Sequence, residues 1–211
     1  VSGNVSLYNE TSGEPIHPTP VMGIVGLMKT EKPVGIAFKN AGRTVMLLGG
    51  LGDCDAVHFG GTQYAHSIVG KIWGLPPALD MKREKAVQDA IREIVTSGLA
   101  ESAHDISDGG LAVTLAESSF NGVGANIELA SDLRDEFLLF HEGPSRVVLS
   151  TGNPEAVQAV TAKHDIDALV IGVTAGDELH VRNSGRDLLK VEVGEMRGVW
   201  EQALPGLLRG E

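Results

Sequence analysis

The string H-D-I-S-D-G-G-L at residues 104–111 constrains this chain more than any other stretch, because it runs straight into an apolar-periodic segment ending near Phe120. Ala103 and Ile106 suit an extended entry, and Leu111, Val113, Leu115 and Ala116 suit a helical exit. The order is therefore strand, tight turn, helix. Gly109 and Gly110 allow positive φ and close backbone approach, and Ser107 or Asp108 can accept hydrogen bonds from the first free helix N–H groups. A helix opened in this way reads either as a capped turn joining two layers or as a place for an anion.

The helix needs a core to pack on, and composition supplies one. Of 211 residues, 42% are hydrophobic and only 4% aromatic, so Val, Ile, Leu and Ala fill the interior. The net charge of −11 argues against a face that tracks a nucleic-acid backbone. A single cysteine, Cys54, rules out an internal disulfide and a cysteine-based zinc site, which fits a reducing cytoplasm. No apolar run approaches the roughly 18 residues of a membrane span. The first residue is Val1, not methionine, which leads us to expect a piece of a longer polypeptide.

Along the chain, Ser2-Gly3-Asn4 forms a turn whose amides and short oxygens can meet a ligand, with Ser6 on the same edge as Asn4. It can equally be an ordinary turn before an edge strand. Residues 21–30 read as a strand, and R-T-V-M-L-L at 43–48 reads as a buried one ending at Gly49-Gly50. Asp53, Cys54, Asp55 and His58 have the wrong spacing for a metal site and are read as a solvated loop. Tyr64, Ala65, Ile68 and Val69 predict a short helix, and G-L-P-P at 74–77 predicts a domain boundary.

Beyond it, Asp80 is a candidate N-cap for a helix carrying Ala86, Val87, Ala90, Ile91, Ile94 and Val95, closed by Ser97-Gly98. Its charged face, including Lys82, Arg83 and Glu93, reads as solvated. Strands are expected at 125–129, 147–150, 168–173, 178–181 and 188–193, and helices at 133–140, 154–163 and 195–203. Glu142 and Arg146 are expected either to clamp a ligand or to pair with each other over a loop. Interleaved strands and helices with hairpins among them predict an α/β fold with a mixed sheet. Neither a G-x-x-x-x-G-K-[ST] nor a G-x-G-x-x-G string occurs, so no P-loop or Rossmann turn is expected.

Four strings, V-S-G-N-V-S-L-Y-N-E, I-H-P-T-P-V-M-G-I-V-G, G-G-T-Q-Y and S-A-H-D-I-S-D-G-G-L-A in this order, with the closing helix holding Trp200, carry a resemblance. The chain resembles the C-terminal part of phosphoribosylformylglycinamidine synthase, in the small-subunit PurL family of the AIR synthetase-like superfamily. The resemblance implies that residues 1–74 are the latter part of a second N-terminal-type domain and 80–211 a complete C-terminal-type domain with a PurM-like sandwich. It implies an enzyme that turns formylglycinamide ribonucleotide, ATP and glutamine-derived ammonia into formylglycinamidine ribonucleotide, ADP and phosphate. Carried over by position, Gly3 would touch ATP, Asn4 would bind Mg2+ (magnesium) and Ser6 would bind the substrate. The family's catalytic histidine matches no position here, so His17 and His104 are read as structural, and Asp105 and Asp108 as braces of the turn. The implied partners are the subunits PurQ and PurS, and the fragment by itself is expected to be inactive. Another enzyme of the superfamily, or a structural module of the synthetase complex, are the rival readings.

Overall fold

The computed structural model describes residues 10–16, 23, 25–28 and 33–210. The chain divides into two compact units, Val1–Pro33 and Val34–Glu211.

Within the first unit, strands β1 (Glu10–Thr11) and β2 (Glu14–Pro15) form a small antiparallel hairpin. Its loop residues Ser12 and Gly13 both have positive φ, 55° and 84°, which gives the two-residue turn a twist that matches the strands. Most of the strand expected at 21–30 lies outside the described residues, and Val25, Leu27 and Met28 within it belong to no strand.

The second unit is built on a seven-stranded sheet. In chain order the strands are β3 (Thr44–Leu48), β4 (Ser102–Asp105), β5 (Ala125–Leu129), β6 (Val147–Thr151), β7 (Ala168–Thr174), β8 (Glu178–Asn183) and β9 (Arg186–Glu192). Their spatial order is β4-β6-β3-β7-β5-β8-β9. Every pairing is antiparallel except β5 with β8, so the sheet is mixed, as the hairpins among the helices predict. Helices α1 (Ala56–Phe59), α2 (Met81–Thr96), α3 (Gly110–Ser119), α4 (Asp135–Phe140), α5 (Pro154–Lys163) and α6 (Val193–Arg209) surround it.

Strand β3 explains the layering. Its residues are apolar on both faces, so it needs a layer of side chains on each. Val45 and Leu47 join a core with Leu111 and Leu115 of α3 and Leu138 and Leu139 of α4. Met46 and Leu48 join the opposite core with Val87 and Ile94 of α2 and Val157 and Val160 of α5. The result is helices, sheet, helices.

That position moves the expected domain division. β3 precedes residues 74–77 in the chain, yet it lies between β6 and β7, which follow them. The glycine and prolines at 74–77 bend a connection inside one unit, and the unit begins at Val34. A strand with two apolar faces cannot be left at the end of a separate domain without exposing one of them.

Local signals behave as their chemistry requires. Asp80 Oδ1 accepts from the backbone N–H groups of Lys82 at 2.8 Å and Arg83 at 3.1 Å, starting α2. Asn153 caps α5 in the same way through Ala156 N, and Pro154 takes the first helical turn. The expected short helix near Tyr64 is a π-helical turn, Ala65–Val69, ended by Gly70 at φ 71°.

The β8–β9 hairpin turns at Ser184 and Gly185 with φ of 51° and 78°. Ser184 is not a residue that favours this region, whereas asparagine tolerates it. Ser184→Asn is therefore expected to stabilise the chain by about 0.5 kcal/mol, read as a higher urea midpoint at unchanged slope.

Candidate functional site

The residues expected to meet ATP, metal and substrate, Gly3, Asn4 and Ser6, lie outside the described residues, as does His17. The site that can be described is the meeting place of the β4–α3 turn with the loop after α4.

The β4–α3 turn has the shape its glycines imply. Gly109 and Gly110 adopt φ of 80° and 67°, and Gly110 N donates to Ser107 O at 3.0 Å. The expected capping by Ser107 or Asp108 does not occur: the N-cap position falls on Gly109, which has no side chain to offer. Two successive left-handed residues swing the first free N–H away from those side chains. Gly109 N donates to Glu142 Oε1 at 2.8 Å instead. His104, mostly buried, places Nε2 2.9 Å from Glu117 Oε2 on α3, bracing strand against helix as a structural histidine.

The loop at residues 141–146 ties together segments far apart in sequence. Glu142 Oε1 also accepts from Gln63 N at 2.8 Å, so one oxygen holds both G-G-T-Q-Y and S-D-G-G-L. His141 Nε2 lies 2.9 Å from Leu51 O, which fixes the proton on Nε2 because a carbonyl only accepts. Ser145 donates to Glu84 of α2 at 2.6 Å, holding φ at 62°.

Arg146 corrects the expectation of an ion pair or joint clamp with Glu142. Its side chain is 3% exposed and donates to three carbonyls, Gly143 O at 3.0 Å, His141 O at 2.8 Å and Leu51 O at 3.3 Å. Glu142 and Arg146 point to different partners, the carboxylate to two backbone N–H groups and the buried guanidinium to three carbonyls that it satisfies. Burial lowers the Arg146 pKa to about 10, and burial with the nearby Arg146 charge lowers that of His141 to about 4.

A cleft of about 600 Å³ opens beside this loop, bounded by Gly50, Gly52, Asp53, Arg83, Ser145 and Asp167. Gly49 is indispensable to its wall, because a Cβ there would lie 2.1 Å from Ser145 O. Asp55 and His58 also border the cleft, but Asp55 Oδ1 is occupied by Val57 N, His58 N and His58 Nδ1, each at 2.9 Å. Burial, helped by Asp55, pushes the Cys54 thiol up to about 11, so it stays protonated and unreactive at neutral pH. Among the described residues no group of three or more His, Cys, Asp or Glu could hold a metal ion.

The family described as AIR synthase related protein, C-terminal domain, matches residues 40–182. The chain belongs to this family. The AIR synthase related match starts close to Val34 and well before residues 74–77, in accord with the single sheet. The subunit PurL of phosphoribosylformylglycinamidine synthase from Moorella thermoacetica is 46% identical, over 98% of this chain and 28% of that protein. Thus the chain spans 28% of the length of this curated relative. PurL of T. maritima complexed with FGAR has the same fold, with a TM-score of 0.67 and 21% identity over 78% of this chain and 29% of that one. A chain of the PurLQS structure from Thermotoga maritima gives a TM-score of 0.61 at 21% identity, over 78% of this chain and 27% of that one.

Glu142 thus brings together two of the strings that stood out in the sequence, while Arg146, expected to share a clamp or an ion pair with it, ties the same loop to Leu51. No local signal marks this, because a long arginine side chain usually keeps its guanidinium in water; the three carbonyls it meets are what hold it inside.

Proposed function

We propose that this chain is part of an ATP-dependent ligase that converts formylglycinamide ribonucleotide, ATP and glutamine-derived ammonia to formylglycinamidine ribonucleotide, ADP and phosphate in purine biosynthesis. The observation that carries the reading is the 46% identity to a PurL subunit along 98% of the chain. In this chemistry ATP phosphorylates the amide oxygen of the substrate, and ammonia then displaces phosphate from the resulting iminophosphate. In the proposed arrangement Gly3 meets ATP through its backbone, Ser6 hydrogen-bonds the substrate, and the Asn4 side-chain oxygen is a magnesium ligand. Magnesium, when bound, neutralises charge on the phosphoryl group in transfer.

The unit Val34–Glu211 contributes a sheet covered by helices, and among the described residues no cluster of acids or histidines suits metal chemistry. The division that the resemblance implies, residues 1–74 in an N-terminal-type domain and 80–211 in a C-terminal-type domain, is proposed with its boundary drawn at Val34, since β3 belongs to the sheet. Subunits PurQ and PurS are the proposed partners, by likeness to the assembly named PurLQS. Among the described residues no helix is long and apolar enough to cross a membrane, which is compatible with the proposed cytoplasmic location.

The test is an ammonia-dependent assay of ADP release on the full polypeptide that carries these residues. Release that requires formylglycinamide ribonucleotide is expected, and the 211-residue chain assayed separately is expected to give none. Turnover by the separate chain, or ATP consumption by the full polypeptide that ignores this substrate, refutes the assignment.

A further inference from the structure

We propose that Glu142 is a positioning residue that holds the loop at 60–64 and the β4–α3 turn as one rigid frame for the ligase reaction, a role that rests on the function proposed above. One carboxylate oxygen accepts from Gln63 N and from Gly109 N, each at 2.8 Å. These amides belong to segments separated by about half a domain of sequence, and a negatively charged acceptor binds each more tightly than a neutral one would.

Aromatic contacts set the same spacing a second time. Tyr64 lies against Phe140 with ring centroids 4.8 Å apart, and Phe59 against Phe137 at 4.7 Å, so the loop rests on α4 immediately before Glu142. The far side of Glu142 is equally fixed, because Arg146 and His141 bind Leu51 O and Ser145 binds Glu84. Glu142 therefore stands on a loop that has little freedom of its own.

The frame is fixed through its backbone while its polar side chains stay outside. Gln63, Ser107 and Asp108 are exposed, and none of their side chains has a hydrogen-bond partner among the described residues. A turn needed only for folding would gain by using Ser107 or Asp108 to cap α3, as such residues commonly do. Here a glutamate from a third segment holds the Gly109 N–H ahead of α3 and leaves three polar groups displayed on a braced backbone. Such preorganisation is what a site needs from the residues behind it.

The experiment uses the full polypeptide with Glu142→Gln and Glu142→Ala. A glutamine keeps a side-chain carbonyl that can accept both N–H groups, whereas alanine keeps none. Hydrogen exchange at Gln63 and Gly109 is expected to speed up together by about tenfold or more in Glu142→Ala and to stay within about threefold of the parent in Glu142→Gln. In the ADP-release assay Glu142→Ala is expected to lower kcat/KM for formylglycinamide ribonucleotide by about tenfold to a hundredfold, with Glu142→Gln restoring most of it. Unchanged exchange in Glu142→Ala overturns the shared contact. Faster exchange with unchanged kcat/KM per folded molecule reduces Glu142 to a structural pin and overturns the positioning role. If the parent polypeptide shows no substrate-dependent ADP release, the ligase reading falls, and with it the positioning role, while the exchange measurement still decides the contact.

Discussion

Gly110→Ala is expected to destabilise the chain by on the order of 4 kcal/mol, the largest loss of any single methyl added to the β4–α3 turn. Gly110 has φ 67°, so alanine there is strained before any neighbour is considered. The added Cβ would also lie 2.7 Å from the carbonyl carbon of Phe140 and 2.8 Å from the carbonyl oxygens of Leu139 and His141. All three are backbone atoms at the end of α4, which cannot rotate aside as a side chain does. Nor can α3 retreat, since Leu111 and Leu115 are fully buried against the sheet. Gly98→Ala supplies the comparison: φ is 69° but nothing lies within 4 Å of the added atom. It should cost about 1 kcal/mol from strain alone. Urea unfolding of both variants checks the argument, and equal losses would mean that α3 and α4 do not approach as closely as described.

Much of the fold was legible because it rests on short-range chemistry. Asp80 announces its helix within a few residues, and Asn153 with Pro154 and Ser184-Gly185 obey the same local rules where the structure puts a cap and a turn. The mixed sheet also follows from the interleaving of hairpins with helices. What the sequence did not disclose depends on partners distant in the chain. Glu142 and Arg146 are four apart, and nothing local shows that one turns to Gly109 and Gln63 while the other turns to the carbonyl of Leu51. Likewise Gly109 and Gly110 correctly signal a tight turn, but their combined left-handed geometry is what removes Ser107 and Asp108 from the cap. Residues 74–77 look like a boundary only while the two apolar faces of β3 are left out of account. The bend at Gly3, Asn4 and Ser6 is carried by resemblance to the family, and it lies outside the described residues.

Acidification should expose the second large effect, at His141. The side chain is 2% exposed, and burial together with the Arg146 charge lowers its pKa from 6.5 to about 4, against the smaller pull of Leu51 O and Asp53. The unfolded chain therefore binds a proton near pH 6.5 that the folded chain refuses until about pH 4. Stability from this group is complete above the unfolded value, falls as pH drops through the interval and is lost once the folded value is passed. The interval corresponds to about 3 kcal/mol. The structural reason is specific: a proton on Nδ1 would turn an acceptor facing Gly143 N, 3.4 Å away, into a donor, and would add a cation beside buried Arg146. Carboxylates such as Asp55 and Asp80, whose pKa values are lowered by the helix N–H groups they cap, also lose stabilisation in acid. His141→Gln isolates the histidine, because glutamine can donate to Leu51 O and accept from Gly143 N without titrating. Measured by urea unfolding from pH 7 to pH 4, the stability of the parent relative to His141→Gln is expected to fall by about 3 kcal/mol, with most of the fall below pH 6.5. A difference that stays constant across that range would show that His141 is hydrated and titrates normally, and that the loop at 141–146 is looser than its hydrogen bonds imply.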